Sequence, residues 1–373
     1  METKILKIYD PKDETVQEAA QLLDQGALVA FPTETVYGVG CRVELSTIQR
    51  LNQLKGRPAD KRYTLHVGNY EQLSKYVPVM NAQARKLVSR ILPGPVTIVF
   101  ECNEKGLKHI TQTLPQEVID LLYSDGTVGI RYPAHSIACA ILSSSQFPVV
   151  APSANLSGQN PAINAEQVLT YFNGKIECIV DTPDERICYN KSSTVVKVGK
   201  SGIHILRSGA VPDSVIRDMA TLRILFVCTG NTCRSPMAEG ICRKYFADIL
   251  GCSVDELSRL GYIINSAGVV AFDGAPASRY AVEVCRSYKI DLTGHHSRLL
   301  TRNLAEQSDV IYVMSPHHRD EVVRLCPSAD SRCFLLDKRG MPIEDPVGLD
   351  REDYEACFRQ IQTAIAERTD ELL

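Results

Sequence analysis

The sequence predicts two α/β domains in tandem, the second built on a small doubly wound parallel sheet. Three observations carry that reading. The chain has 373 residues, more than one hydrophobic core usually serves. Apolar strand-like runs alternate with helical stretches along it. The pattern breaks at ILRSGAVPDSVIRDMATLR, where a strand ends at Ser208-Gly209 and a short polar helix leads into a fresh strand, RILFVC. The boundary is therefore placed at 208–221, giving domains of 1–210 and 222–373.

In the first part, GALVAFPT, YTLHV, PVTIVFEC, TVGIRY, FPVVAPSA and STVVKV read as strands, and 81–92 has helical periodicity. The second part reads as strand 222–228, helix 236–250, strand 262–267, helix 276–289, strand 309–314, helix 316–325, strand 332–335 and a final helix 350–373. That strict alternation predicts a parallel sheet with helices on both faces. Ligand sites in such sheets lie off the carboxyl ends of the strands.

Composition narrows the class. With 44% hydrophobic and 23% charged residues the chain is ordinary for a globular protein, and its net charge of −3 carries no polyelectrolyte footprint for nucleic acid. No apolar run approaches the roughly 20 residues needed to span a bilayer. The N-terminal METKILKIYDPKDETVQ turns polar at once, so a cytoplasmic, reducing compartment is expected. The thirteen cysteines are then expected to be mostly free thiols. None forms a C-x2-C pair, which argues against structural zinc.

The stretch LFVCTGNTCRSPMAEG, 225–240, places Cys228 at the end of an apolar strand and Pro236 at the start of a helix. The loop between them offers a row of backbone N–H groups at a helix N-terminus, which is an anion site. The same donors favour thiolate at Cys228. Arg234 can hold two phosphate oxygens in a bidentate fork. Ser235 can donate to the sulfur, and Asn231 can pin the loop. The C-x5-R spacing recurs at Cys326 to Arg332 and Cys333 to Arg339, but neither follows a strand with a glycine-bearing loop. Displacement at phosphorus also needs an acid for the leaving group, and IEDPVG supplies Asp345-Pro346 before the last helix. Asp10-Pro11 repeats the dipeptide in an N-terminal turn, without that context.

CTGNTCRSPMAEG with IEDPVG resembles the low-molecular-weight protein phosphatase family over about 222–373. The resemblance implies a thiophosphate intermediate on Cys228, oxyanion stabilisation by Arg234, acid–base work by Asp345, and no metal or other cofactor. Tyrosine-directed members usually carry a bulky aliphatic residue where Thr232 stands, and aromatics after the Asp-Pro pair. Here Val347-Gly348-Leu349 follows it. Thr232 resembles members that hydrolyse protein phosphoarginine, so phosphoarginine is expected over phosphotyrosine. A threonine hydroxyl can orient the water that attacks the thiophosphate. Cys233 reads either as a small core residue or as a partner that traps oxidised Cys228 as a disulfide. The pairs His295-His296 and His317-His318 read as solvated or capping histidines rather than metal ligands.

In the first part, Val198-Gly199-Lys200-Ser201 imitates the end of a Walker loop, but Thr194 replaces its opening glycine. A turn between two strands explains it. FPTETVYGVG puts Thr33 and Thr35 on one face of an extended segment. LKGRPADKR gathers Lys55, Arg57, Lys61 and Arg62 in one short loop, a grip for a triphosphate. VVAPSANLSG sets Ser153 and Asn155 on one face after a buried strand.

Together with LPGPVTIVF, GIRYPAH, STVV and ILRSGA, these segments resemble the YrdC/Sua5 family of threonylcarbamoyl-AMP synthases over about 10–210. The resemblance implies a twisted mixed sheet with helices. It also implies conversion of ATP, L-threonine and bicarbonate into threonylcarbamoyl-adenylate and pyrophosphate, for the machinery that transfers threonylcarbamoyl to tRNA. Residue by residue, Lys55, Arg57, Lys61, Thr127, Asn155 and Arg207 would contact ATP. Thr33, Thr35, His66, Arg131, Ser153 and Ser193 would hold threonine or the carbamoyl product. Magnesium would arrive with ATP, bridging its phosphates. Ile163 stands where members often carry a hydroxyl. The sequence is thus expected to encode a synthase fused to a phosphatase acting on phosphorylated protein, with no membrane partner. The alternatives are a non-catalytic first domain that regulates or weakly binds RNA, and a phosphatase reduced to partner binding.

Overall fold

The computed structural model describes every residue except 1, 59–60, 103, 124, 184–186, 200–201 and 373, and no side chain at 370–371. The described residues divide into two compact units, Met1–Met80 with Ala84–Met219, and Asn81–Gln83 with Ala220–Leu373.

The first unit contains ten strands: β1 (Lys4–Lys7), β2 (Val29–Phe31), β3 (Gly38–Arg42), β4 (Thr64–His66), β5 (Val96–Glu101), β6 (Thr127–Arg131), β7 (Val149–Val150), β8 (Cys178–Asp181), β9 (Thr194–Gly199) and β10 (Gly202–Arg207). They form one mixed sheet in the order β1-β8-β2-β3-β7-β4-β6-β5-β9-β10. β4–β6 and β5–β9 pair parallel, whereas β5–β6, β3–β7 and β9–β10 pair antiparallel. Helices Glu14–Asp24 and Ser136–Ser144 cover one region of it, burying Val16, Ala19, Leu23, Ile137 and Ile141 against Val29, Phe31 and Val149. The six strands read from sequence are present. β1, β3 and β8 were not anticipated: GVGCR has two glycines and no clean alternation, and KILK and CIVD are each four residues long. Helix Ala82–Ile91 occupies the periodic stretch.

Two local expectations need correction. The segment carrying Thr33 and Thr35 is not extended; 34–36 bends, which brings the two hydroxyls 2.8 Å apart. Lys55 is not in the basic loop but ends helix Leu45–Lys55, which stops at Gly56 in the left-handed conformation (φ 59°). Of the Walker-like stretch, Val198 and Gly199 close β9 and Gly199 pairs with Gly202 of β10, while Lys200 and Ser201 lie outside the described residues.

The second unit holds β11 (Leu222–Cys228), β12 (Tyr262–Gly268), β13 (Val310–Val313) and β14 (Cys333–Leu335), all parallel, in the order β12-β11-β13-β14. Side chains alternate along β11. Leu222, Ile224, Phe226 and Cys228 face one core, shared with helices Arg234–Leu250, Arg279–Ser287 and Arg351–Leu372. Leu225 and Val227 face the other, with Ala305, Val322 and Cys326. Helices therefore cover both faces, and the chain crosses from one side of β11 to the other after β12, which places the switch point at the end of β11. Helix Arg302–Gln307, six residues capped by the Thr301 hydroxyl, was not anticipated. Both decoy cysteines, Cys326 and Cys333, are buried among the apolar residues of the second core.

Candidate active sites

β11 ends at Cys228, and helix Arg234–Leu250 begins six residues later, so the intervening loop wraps the thiol. Cys228 is 2% exposed. Its Sγ lies 2.9 Å from Ser235 Oγ and accepts the Asn231 N–H at 3.2 Å. Burial, the largest influence, pushes the thiol's pKa up; the Ser235 and Asn231 hydrogen bonds and the Arg234 cation pull it down. The loop donors expected to favour thiolate are in place, but they work against desolvation.

Asn231 is the knot of the loop. Its backbone is left-handed (φ 54°), a conformation asparagine tolerates better than most residues. Its Nδ2 donates to Ser235 Oγ and to Ser266 Oγ, both at 2.9 Å, and its Oδ1 accepts the Arg298 N–H at 2.9 Å. Ser266 in turn donates to Glu239 at 2.6 Å. The Asn231 carbonyl accepts from His295 Nε2 at 2.8 Å. Behind the loop, only glycine fits at 268: a Cβ there would lie 2.5 Å from the Thr229 carbonyl oxygen and 2.9 Å from the Asn231 nitrogen.

Arg234 is buried and ion-paired with Asp345, whose carboxylate is half exposed. The guanidinium also donates to Thr229 Oγ1 and the Ile343 carbonyl, each at 3.3 Å. The structure thus brings Cys228, Asn231, Arg234, Ser235 and Asp345 into one cluster. Thr232 is half-buried in the same loop, with Oγ1 3.6 Å from Cys233 Sγ. Cys233 is buried, its sulfur 3.2 Å from the hydroxyls of both Ser278 and Tyr354. Exposed Val347 and Leu349 follow Asp345, and Phe272, 87% exposed, lies on the loop whose Val270 N–H binds the Thr229 carbonyl. All thirteen cysteines are free thiols.

The histidine reading holds for two of the four: His296 and His317 are exposed, whereas His318 is buried and His295 is half-buried against the Cys228 loop. Adjacent positions in sequence gave no sign of the last two, because what engages those rings comes from Thr229 and Asn231, near only in the fold, and from Ser315 at the helix N-cap.

In the first unit a cleft of about 500 Å³ opens over β4, β5, β6 and β9. Ten of the twelve residues expected there line it: Thr33, Thr35, Arg57, Lys61, His66, Thr127, Arg131, Ser153, Ser193 and Arg207. Arg62, Tyr63, Thr97, Asp125 and Lys197 line it as well. Lys55 and Asn155 do not. The Lys55 ammonium is buried and donates to the carbonyls of Ser153 and Asn155 at 2.5 Å each. Desolvation, then the nearby Arg57 and Lys61, lower its pKa to about 8. The Asn155 amide is consumed locally, accepting from Ser153 Oγ at 2.6 Å and donating to the Leu156 and Gln159 carbonyls. Both residues brace the loop that carries Ser153 into the cleft.

Several of the cleft's cations already have partners. Arg131, buried at the end of β6, pairs with Glu34 at 2.8 Å and donates to the carbonyls of Gly94 and Val96. Arg62 pairs with Asp125, which also accepts from Thr127 Oγ1 at 2.8 Å. Arg207 donates to the Ser193 carbonyl at 2.7 Å, and Ser193 Oγ lies 2.9 Å from Thr97 Oγ1. Arg57 stacks over the Tyr63 ring at 4.6 Å, and its Nε is buried without a partner. His66 Nδ1 lies 3.1 Å from the Thr64 carbonyl, which can only accept, so the neutral ring presents Nε2 as an acceptor. Burial, reinforced by Arg131, holds its pKa down at about 3. Asp125 is the one carboxylate among the described lining residues, and no group of three metal-ligating side chains occurs among the described residues. Among the described residues, no helix is long and apolar enough to cross a membrane.

Fold and sites together define a two-domain α/β chain, with a cation-lined cleft on a mixed sheet and a thiol set in a phosphate loop on a parallel one. The chain belongs to the family of Sua5, YciO and YrdC, described as telomere recombination, whose model matches residues 21–209. It also carries a low molecular weight phosphotyrosine protein phosphatase domain, matched over 223–372. It is 34% identical over 234 residues to the threonylcarbamoyl-AMP synthase of Pyrococcus abyssi, covering 62% of this chain and 65% of that protein. To the Bacillus subtilis threonylcarbamoyl-AMP synthase it is 33% identical over 211 residues, covering 56% of each. The chain therefore spans less than two thirds of these curated relatives. Its second domain is similar to the crystal structure of a low molecular weight protein tyrosine phosphatase from T. tengcongensis, at 34% identity and TM-score 0.37, covering 41% of this chain and 100% of that one.

Proposed function

We propose that the chain is a bifunctional enzyme, forming threonylcarbamoyl-adenylate in its first domain and hydrolysing a protein phosphoramidate or phosphoester in its second. The observation that carries the phosphatase reading is the convergence of Cys228, Arg234 and Asp345 on one loop and its flank. The Cys228 thiolate attacks phosphorus, forming S–P as the bond to the leaving group breaks. Asp345 gives that group its proton. Arg234, released from Asp345 by the incoming phosphoryl oxygens, holds the equatorial charge together with the loop N–H groups. Water then attacks phosphorus, Asp345 takes its proton, and the S–P bond breaks to regenerate the thiolate.

For the first domain, the ten clustered cleft residues support the synthase reading. Threonine amine and bicarbonate condense to a carbamate with loss of water. A carbamate oxygen then attacks the α-phosphate of ATP, and pyrophosphate leaves. The side chains orient and neutralise rather than react, so most of the rate effect comes from placement. Arg57 and Lys61 fit the triphosphate, and magnesium on those phosphates would balance their remaining charge. The product would serve a tRNA-modifying transferase.

Phosphoarginine is the preferred phosphatase substrate in this reading, because a threonine, Thr232, stands in the loop and no aromatic directly follows Asp345-Pro346. The test assays both activities on wild type and Cys228→Ser. Cys228→Ser is expected to lose turnover of para-nitrophenyl phosphate and phosphoarginine peptides, while threonine- and bicarbonate-dependent pyrophosphate release persists. Absence of that release in wild type would sink the synthase reading. Thr232→Ile is expected to lower the ratio of phosphoarginine to phosphotyrosine turnover; an unchanged ratio would overturn the specificity reading.

A further inference from the structure

His318 lies on the first turn of helix Pro316–Leu325, buried, with both ring nitrogens engaged. Nε2 is 2.9 Å from Thr229 Oγ1, and Nδ1 is 2.9 Å from Ser315 Oγ. Ser315 stands at the N-cap of that helix, yet its hydroxyl makes no capping bond. It is turned to the histidine instead, although an N-cap serine ordinarily satisfies a free helix N–H.

Elementary chemistry assigns the protons. A guanidinium only donates, so at 3.3 Å Thr229 Oγ1 accepts from Arg234 Nη2. The Thr229 proton is then directed at His318 Nε2, and the neutral ring carries its own proton on Nδ1, towards Ser315. Burial first, and then the nearby Arg234 and His317, lower the His318 pKa to about 4, which keeps the ring neutral at physiological pH. A relay runs from Ser315 through His318 and Thr229 to Arg234, and Arg234 is the side chain paired with Asp345.

We propose that His318 is a positioning residue of the phosphate site. By accepting the Thr229 proton it keeps a lone pair of that hydroxyl on Arg234, and so aims the guanidinium fork across the phosphate loop. Without the ring, the Thr229 hydroxyl is free to turn its proton towards Arg234, and the fork loses one of its three anchors. The inference rests on the phosphatase reading, but phosphate affinity tests it separately from turnover.

The experiment measures inorganic phosphate binding by calorimetry, and kcat and KM for para-nitrophenyl phosphate, on the full chain. The proteins compared are wild type, His318→Ala, His318→Gln, Thr229→Val and the double variant His318→Ala/Thr229→Val. His318→Ala is expected to weaken phosphate binding and lower kcat/KM by about tenfold, the scale of a hydrogen bond to a charged group. His318→Gln should regain most of both, since its side-chain carbonyl can accept from Thr229. The double variant should be no worse than Thr229→Val alone, which a merely structural role of the ring would not produce. Unchanged phosphate affinity in His318→Ala, or additive losses in the double variant, would overturn the proposal. Should His318→Ala fail to fold, His318→Phe, which fills the space but cannot accept from Thr229, carries the same comparison with and without Thr229→Val. A wild type that binds phosphate but turns nothing over would end the phosphatase reading, while the affinity comparison would still decide the role of His318.

Discussion

Glu34 and Arg131 meet 2.8 Å apart with side chains only 5% and 3% exposed, so an arginine expected to hold threonine or the carbamoyl product already holds a protein carboxylate. Glu34 Oε1 also accepts the Ala134 N–H at 2.9 Å, which ties the pair to the segment following β6. A buried charge that loses its partner is costly. Glu34→Gln is therefore expected to destabilise the first domain by about 3–5 kcal/mol, read from hydrogen exchange in β5 and β6 under native conditions. The paired change Glu34→Gln/Arg131→Met should recover most of that loss while failing to saturate with threonine. Full threonine affinity in the paired variant would remove Arg131 from the substrate site.

Lys55 makes a prediction of a different kind. Its ammonium ties the end of helix Leu45–Lys55 to the carbonyls of Ser153 and Asn155. Lys55→Met is expected to speed amide exchange across 153–159 in the absence of any nucleotide. A loss of ATP affinity with unchanged exchange there would show instead that the ammonium reaches the phosphates.

Asn231 separates backbone from side chain in the phosphate loop. Asn231→Ala removes three side-chain hydrogen bonds and places a Cβ-bearing residue without a polar group in the left-handed region. Asn231→Gly removes only the bonds. Both are expected to lower kcat by roughly 10–100-fold, as Ser235 loses its anchor, and Ala should cost about 1 kcal/mol more stability than Gly. Equal stability of the two variants would show that the loop conformation carries no strain.

His66 gives a pH dependence with a definite sign. Its folded-state pKa of about 3 lies below the ordinary 6.5, so on acidification the unfolded chain takes up the proton first. The stability it contributes is fully present above about pH 6.5 and is lost as pH falls towards 3. His66→Asn should flatten the acid-side fall in first-domain stability between those limits, measured as the urea midpoint at a series of pH values. A His66 ring titrating near 6.5 by NMR would contradict this.

The second domain was the more legible of the two. Its periodic helices and apolar strands are local signals, and the loop after β11 announces its chemistry through residue types at fixed spacing. What the sequence withheld there was third-party support: Ser266 and His318 are far from the thiol along the chain and carry no motif of their own, and Thr229 and Glu239 lie within the motif without their partners showing in it. In the first domain ten of twelve candidate residues reached the cleft, because polar residues beside buried strands end up at the sheet surface. Lys55 and Asn155 fall outside that lining for one physical reason. A basic or amide side chain near a turn can satisfy backbone carbonyls as readily as a ligand, and composition does not distinguish the two.

The alternation along β11 has a consequence for how the Cys228 thiol is aimed. Cys228 lies in step with Ile224 and Phe226, while Leu225 and Val227 look the other way. The direction of the thiol is thus a matter of parity, decided by which apolar residues the strand commits to each core. Inserting or deleting one residue within 222–227 would leave composition, loop and motif intact and turn the sulfur to the opposite side of the sheet. Two residues would restore it. The aim of the thiol is written in the packing of leucine, isoleucine, valine and phenylalanine side chains that lie buried in the two cores.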